Sequence, residues 1–381
     1  MSDLELLYVL LTAFYLWECA CWIPRGGVVF AGWRGKHCRV ASVIGNQRGG
    51  FALAQPLPPL GRIAVATQLP VSLSPAGALA YVATSVTPAG RPPQTGRFVR
   101  WDEIKSVAAR GKNVRVNDDV FVRAQSTTHA RWLAGELRRL GRLGPETRSD
   151  AIGKLIESAF NVESVKARWA EFETPARPVR CLANALFLFV FLATPAVIWR
   201  FGLEHTWLPL VIGLFAMGGT IAFLFRRAHR SLHPSADDER FTQFLMALLF
   251  PPAAIRACDL LSRPLIETFH PLAVASALCN DKELRRFARP LLLDLRNPAL
   301  PLATEDNLEL AAVEEWSRAR TLAAAEAALR RSGVDPAELT RPPSPADATC
   351  RAFCPRCHAQ FTLLDTRCGD CGGLPVRAFA Q

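Results

Sequence analysis

The sequence predicts a multi-domain membrane protein with three α-helical transmembrane spans, a β-rich cytoplasmic domain and a C-terminal four-cysteine module. Three observations carry this expectation. Apolar residues concentrate at 4–24, 181–199 and 207–225, each near the ~20 residues that cross a bilayer core. Short β-branched runs punctuated by Gly and Pro fill much of 26–145. Two Cys-x-x-Cys pairs, Cys354/Cys357 and Cys368/Cys371, stand ten residues apart. The composition agrees, with 50% hydrophobic residues, 21% charged residues and a mean hydropathy of +0.13 over 381 residues. That length suits two or three domains.

The first span is expected over 1–24. No Lys or Arg precedes it, whereas Arg25, Arg34, Lys36 and Arg39 follow. The positive-inside rule therefore puts the N-terminus outside and residue 25 onward in the cytoplasm. Asp3 and Glu5 replace the positive flank of a signal peptide, and bulky Trp22-Ile23-Pro24 occupies the place of a cleavage site. A retained anchor is expected. Glu18 is an acid within this span. It is either a functional group or a hydrogen-bonding partner of Asn184 or Arg180 at matching depth. Cys19 and Cys21 are spaced i,i+2, which on a helix separates their faces, so they are expected to pack as small apolar residues.

Residues 25–145 are expected to form the β-rich cytoplasmic domain with a closing helix. GGVVFAG, CRVASVI, RIAVATQ and ALAYVATSV read as strands. In NVRVNDDVFVRA (113–124), Val114 and Val116 alternate with polar residues, Asn117-Asp118-Asp119 supplies a turn, and Val120 and Val122 alternate again, a hairpin pattern. A helix starting near Ser126-Thr127 would align Leu133, Leu137 and Leu140 on one stripe, with Arg131, Arg138 and Arg139 elsewhere. Strands, RWDEIKSV, a hairpin and a terminal helix over 70–142 resemble bacterial pleckstrin-homology-like domains. The resemblance implies a binding or assembly module. An unrelated small β-domain fits the same pattern.

An amphipathic helical linker is expected over 146–180, with Val162, Val165, Trp169 and Phe172 on one side. The second and third spans follow at 181–199 and 207–225. Arg177 and Arg180 precede the pair, Arg226, Arg227 and Arg230 follow it, and the connector RFGLEHT carries one arginine. Both clusters repeat the cytoplasmic assignment. Gly213, Gly218 and Gly219 suit close helix packing, and His229 and His233 read as part of a solvated basic flank. The stretch 239–280 is interrupted by Pro251-Pro252, leaving Phe241 to Phe250 too short to cross, so interfacial helices are expected there. A cytoplasmic helical segment over 281–340 has its strongest helix near Thr304 to Ser332. Acids (Glu305, Asp306, Glu309, Glu314, Glu315) lead, arginines (318, 320, 330, 331) follow, and Gly333 ends it. Glu314–Arg318 and Glu326–Arg330 can pair at i,i+4 on a solvated face. RPPSPADAT (341–349) is expected to act as a stiff tether.

The module at 350–381 resembles a zinc ribbon through CPRC and CGDC. Four thiolates from two short knuckles suit a tetrahedral ion at ~2.3 Å, and Pro355, Gly369, Gly372 and Gly373 suit the knuckle turns. Cys354, Cys357, Cys368 and Cys371 are the expected ligands of a structural Zn²⁺. A rubredoxin-like iron site uses the same donors and stays open. Four thiolates leave no position for substrate, and His358 and Cys350 are expected to be bystanders.

The net charge of +11 could point to nucleic acid, but the arginines crowd beside the spans, where anionic lipid is the counter-charge. In the tail, four arginines face two aspartates, and four thiolates with one divalent ion cancel the difference. A nucleic-acid footprint is disfavoured, and a protein partner for the ribbon or β-rich domain is expected. No Walker loop, Rossmann glycine pattern, HExxH or GxSxG occurs. The expectation is a non-enzymatic adaptor, scaffold or regulator at the cytoplasmic face of the cell inner membrane. The alternative is a transport or lipid-related activity using Glu18 and the interfacial helices.

Overall fold

The computed structural model describes residues 3–24, 27–32, 37–41, 43–44, 51–56, 62–67, 71–83, 94–233, 244–245, 248–298 and 308–379. Arg25, Arg34, Lys36, Glu305, Asp306 and residues 241–243 of the sequence reading lie outside them. The chain forms two compact units, one from Met1–Gln68 with Glu163–Leu278, the other from Leu69–Val162 with Cys279–Gln381. The stretch 25–145, expected to be one β-rich domain, is thus divided between them.

In the first unit, helix α1 runs over Asp3–Glu18 and the chain then becomes strand β1 (Ala20–Pro24). The expected span over 1–24 is a 16-residue helix followed by a strand. Such a helix rises ~24 Å, short of the ~30 Å hydrocarbon core. Pro24 cannot donate within a helix and biases Ile23 towards extended backbone. Ile23 is fully buried there. Strand β1 pairs with β5 (Phe51–Pro56), which also pairs with β4 (Val43–Ile44). A second antiparallel sheet has the order β3-β2-β6, from β2 (Gly27–Gly32), β3 (Arg39–Val40) and β6 (Arg62–Thr67). Val29, Phe30 and Ala64 to Ala66 of this sheet have no exposed surface.

Two long helices form a hairpin. Helix α4 (Val162–Leu188) passes through a π turn at Phe189–Ala193 into α5 (Thr194–Phe201), Gly202 reverses the chain at φ 78°, and α6 (Leu203–Leu232) returns. The π turn has a cause: Pro195 has no N–H, and the Thr194 hydroxyl donates to the Phe189 carbonyl at 2.9 Å. One stripe of α4, including Val165, Trp169, Phe172, Ala176, Val179 and Ala183, is buried. The expected seven-residue connector is in fact one glycine. A Cβ on Gly213 would stand 3.3 Å from the Phe189 ring, so this glycine does permit close packing. The arms Val162–Phe201 and Leu203–Leu232 are both long and apolar enough to cross a membrane, and only 22% of the apolar window in each is buried.

Helices α7 (Ala257–Ile266) and α8 (Pro271–Leu278) were expected to be interfacial; they instead belong to the core of this unit. Helix α7 packs on β6, and α8 covers β2 and β6. Leu272 to Ala275 have no exposed surface. The apolar faces that read as membrane-seeking are spent on the sheet. Asp259 on α7 is 5% exposed and bridges Arg256 (3.0 Å) and Arg263 (2.5 Å). Arg263 also donates to the Trp22 carbonyl at 3.1 Å, and Ser262 donates to that of Ile63 at 3.3 Å.

In the second unit, the described residues of 69–162 form six strands in two antiparallel sheets. One has the order β7-β8-β9, from Val71–Leu73, Gly77–Ala83 and Gln94–Arg100; the other has β10-β11-β12, from Val107–Arg110, Asn113–Val116 and Asp119–Arg123. Asn117 and Asp118 take φ of 50° and 65°, which makes the β11–β12 turn type I′. The alternation expected in β12 fails because Arg115 pairs with Val120 and Val114 with Val122. Phe121 is the extra residue of a bulge, so Phe121 and Val122 are both buried while Val120 is 45% exposed. Helix α2 (Thr127–Gly141) closes the sheets. Ser126 caps it by accepting from the His129 N–H, and Leu133, Leu137 and Leu140 are buried as expected.

Helix α3 (Pro145–Ala159) contributes Arg148, whose guanidinium is buried over the Trp101 ring and donates to the carbonyls of Leu140, Leu143 and Pro75. Helices α9 (Asp281–Arg296) and α10 (Leu308–Arg331) complete the unit. Helix α10 ends in a Schellman motif: Gly333, at φ 77°, donates to Arg330 and Val334 donates to Leu329. Glu326–Arg330 pairs at 2.9 Å as expected, but Arg318 pairs with Glu315 rather than Glu314. The helix is not simply solvated: Leu310, Val313, Ala325, Ala328 and Leu329 are buried.

Candidate metal centre

The tail folds into two small sheets. Strand β13 (Ala352–Phe353) pairs with β14 (Gln360–Phe361) and with β17 (Arg377–Ala378), and β15 (Arg367–Cys368) pairs with β16 (Leu374–Pro375). A knuckle stands at the turn of each hairpin. In the first, the Cys354 N–H donates to Ala359 and the His358 N–H to Cys354, with His358 at φ 63°. In the second, Gly373 donates to Cys368 and Gly372 to Gly369, with φ of 81° and 72° at the two glycines. Each knuckle thus needs a left-handed residue directly after its second cysteine. Gly372 takes that conformation without strain, and His358 takes it with a Cβ.

These turns converge four sulfurs. The Sγ atoms of Cys354, Cys357, Cys368 and Cys371 all lie within 4.8 Å of one another, and those of Cys357 and Cys368 are 3.6 Å apart. A tetrahedral ion with ~2.3 Å bonds to sulfur separates its ligands by ~3.8 Å, so the donor set fits one. Cys354, Cys368 and Cys371 are buried, and Cys357 is exposed. Burial works against the Cys354 thiolate, but backbone N–H groups of Cys357 and Arg356 outweigh it and hold its pKa below the ordinary thiol value. Burial and the neighbouring thiols raise those of Cys368 and Cys371. Four thiols this close cannot all ionise unless a cation sits among them. Among the described residues, the cluster of four sulfurs does not include Cys350 or His358. His358 Nδ1 instead faces the Arg289 guanidinium at 2.9 Å.

The first knuckle is docked on α9, which the sequence did not reveal. Asn297, the residue after α9, donates to the Pro355 carbonyl at 3.0 Å, Arg356 pairs with Asp294, and His358 meets Arg289. No spacing rule links 289–297 to 355–358, so no motif could have announced this. The expected tether over 341–349 is also held. Gln360 donates to the Ser344 carbonyl and accepts from the Ala346 N–H, at 2.8 and 2.7 Å.

Among the described residues, the other singled-out side chains do not assemble into a second centre. Glu18 is the last residue of α1, half-buried, and makes no bond to Asn184 or Arg180; the Asn184 carbonyl oxygen is buried without a partner. Cys19 is buried in the turn after α1 and Cys21 lies on β1, so neither is on a helix. His229 near the end of α6 and His233 just after it have ring centroids 5.1 Å apart, tilted at 39°. Comparison with protein-family models, curated proteins and solved structures finds no match to this chain.

Proposed function

We propose that this chain is a non-enzymatic adaptor or scaffold of the inner membrane, presenting a β-rich domain and a zinc-loaded ribbon at the cytoplasmic face. The observation that carries the reading is the outward apolar surface of the helical hairpin. Trp199 is 92% exposed, and Leu192 and Phe223 are each 64% exposed. A core helix of a soluble protein would bury such side chains, whereas a bilayer accepts them. Arg177, Arg180, Arg226, Arg227 and Arg230 flank the open end of the hairpin, which supports a cytoplasmic assignment for that end. The ribbon would hold Zn²⁺ for structure, because its four sulfurs close the coordination sphere. Leu363 and Leu364, between the knuckles, are 67% and 48% exposed and offer an apolar tip for a protein partner.

Affinity capture from detergent tests the reading. The intact chain should recover a partner that a Leu363→Ser/Leu364→Ser chain, with its metal content unchanged, does not. Identical recoveries would remove the ribbon tip from the contact.

A further inference from the structure

We propose that the cleft between α3 and α10 binds a small ligand carrying at least two phosphate groups. The cleft has a volume of about 780 Å³, within the ~300–1,000 Å³ of small-molecule sites. Small residues make its room: Gly153 on α3 and Ala323, Ala324 and Ala327 on α10. Its rim is basic, with Lys154, Arg320, Arg330 and Arg331 against the single carboxylate of Glu157.

Several other arginines of this unit are neutralised by carboxylates, whereas, among the described residues, the two central cations of the cleft, Lys154 and Arg320, are not. Arg100 pairs with Glu309, Arg285 with Asp281 and Glu338, Arg296 with Glu326, Arg318 with Glu315 and Arg356 with Asp294. Of the cleft's four cations, only Arg330 has such a partner among the described residues, Glu326 at 2.9 Å. Lys154 and Arg320 have no carboxylate partner among the described residues. Arg320 is nonetheless held in place: its guanidinium lies 5.3 Å over the Trp316 ring, and its Nη1 stands 4.0 Å from where a Cβ on Gly153 would be. A pre-positioned, unpaired guanidinium beside a lysine is a receptor for a planar or tetrahedral oxyanion.

Spacing selects the ligand class. Residues 320 and 331 are eleven positions apart on α10, a rise of ~16 Å, too far for one phosphate to reach both ends. A diphosphate, a longer phosphate chain or a ligand with two separated phosphates spans the rim. Soluble phosphate esters and anionic lipid headgroups share this chemistry.

The test uses the full chain in nanodiscs of neutral lipid, titrated with inorganic tripolyphosphate by calorimetry. A second arm measures retention of a diphosphate-bearing anionic phospholipid in mixed-lipid nanodiscs by native mass spectrometry. Lys154→Gln/Arg320→Gln, both exposed positions, should weaken the bound phosphate about tenfold or more in whichever arm shows saturable binding. Binding in the first arm identifies a soluble ligand; binding in the second alone identifies a headgroup. No saturable binding in either arm overturns the proposal, as does equal binding by the variant. So does a glutamate-rich peptide that binds at lower concentration than tripolyphosphate and is lost in the same variant, because the cleft would then dock protein.

Discussion

At Asp259 a carboxylate with 5% of its surface exposed faces two guanidiniums, and one of them reaches on to the Trp22 carbonyl. Burial alone would raise its pKa, but Arg263 and Arg256 more than compensate and hold it below the ordinary carboxylate value. A carboxylate with a depressed folded-state pKa stabilises above its unfolded pKa of ~3.9 and loses that contribution as pH falls through the folded value. Asp259→Asn should therefore cost about 3 kcal/mol at neutral pH by leaving two guanidiniums half-satisfied. Thermal melts from pH 7 to pH 2 should show wild type and variant converging at the acid end. Nothing in RACDLLSRPLI (256–266) announces this network. Only the sheet beneath α7 gives its pairings a reason. Leu133, Leu137 and Leu140, by contrast, were legible, because a stripe at helical spacing needs no knowledge of what it packs against.

Among the elements, the first knuckle and α9 form one assembly through Pro355, Arg356 and His358 on one side and Asn297, Asp294 and Arg289 on the other. Convergence of its sulfurs on one ion is expected to hold those three groups in place. Stripping the metal with a chelator, or making Cys354→Ser/Cys371→Ser, should remove about one zinc per chain. It should also speed amide hydrogen exchange in the last two turns of α9, with α2 unaffected. Unchanged exchange in α9 would mean that the docking stands without the ion. The ribbon was readable as a ligand set because Cys-x-x-Cys spacing is local. Its seat on α9 was not, since a helix surface carries no mark of a partner some sixty residues away. The bulge at Phe121 escaped for a related reason: alternation specifies which faces exist but not where the register slips.

For the molecule as a whole, the two arms that meet at Gly202 set the expected topology. His205→Cys should be labelled by an impermeant thiol reagent added to intact cells, whereas Pro345→Cys should be labelled only after lysis. Labelling of Pro345→Cys in intact cells would place the ribbon outside. The two later apolar runs of the sequence were legible as long helices, while the first was misread beyond Glu18 because strand β1 is as apolar as the helix before it.

The alternation of the units along the chain has a temporal consequence. Strands β2 and β6 are made early, yet the helices that cover them, α7 and α8, lie beyond residue 250. At ~5–20 residues per second of synthesis, the roughly two hundred residues between β6 and α8 take on the order of ten seconds or more. For that interval β2 and β6 lack the cover of α7 and α8, although Ile23 of β1 already packs on Val29 and Val65. A chain truncated between residues 70 and 250 should therefore expose the face of this sheet that α7 and α8 cover and bind a chaperone more strongly than the full chain does. Nor can a single cut isolate a unit, so proteolytic fragments ending near residue 162 should be insoluble rather than domain-like.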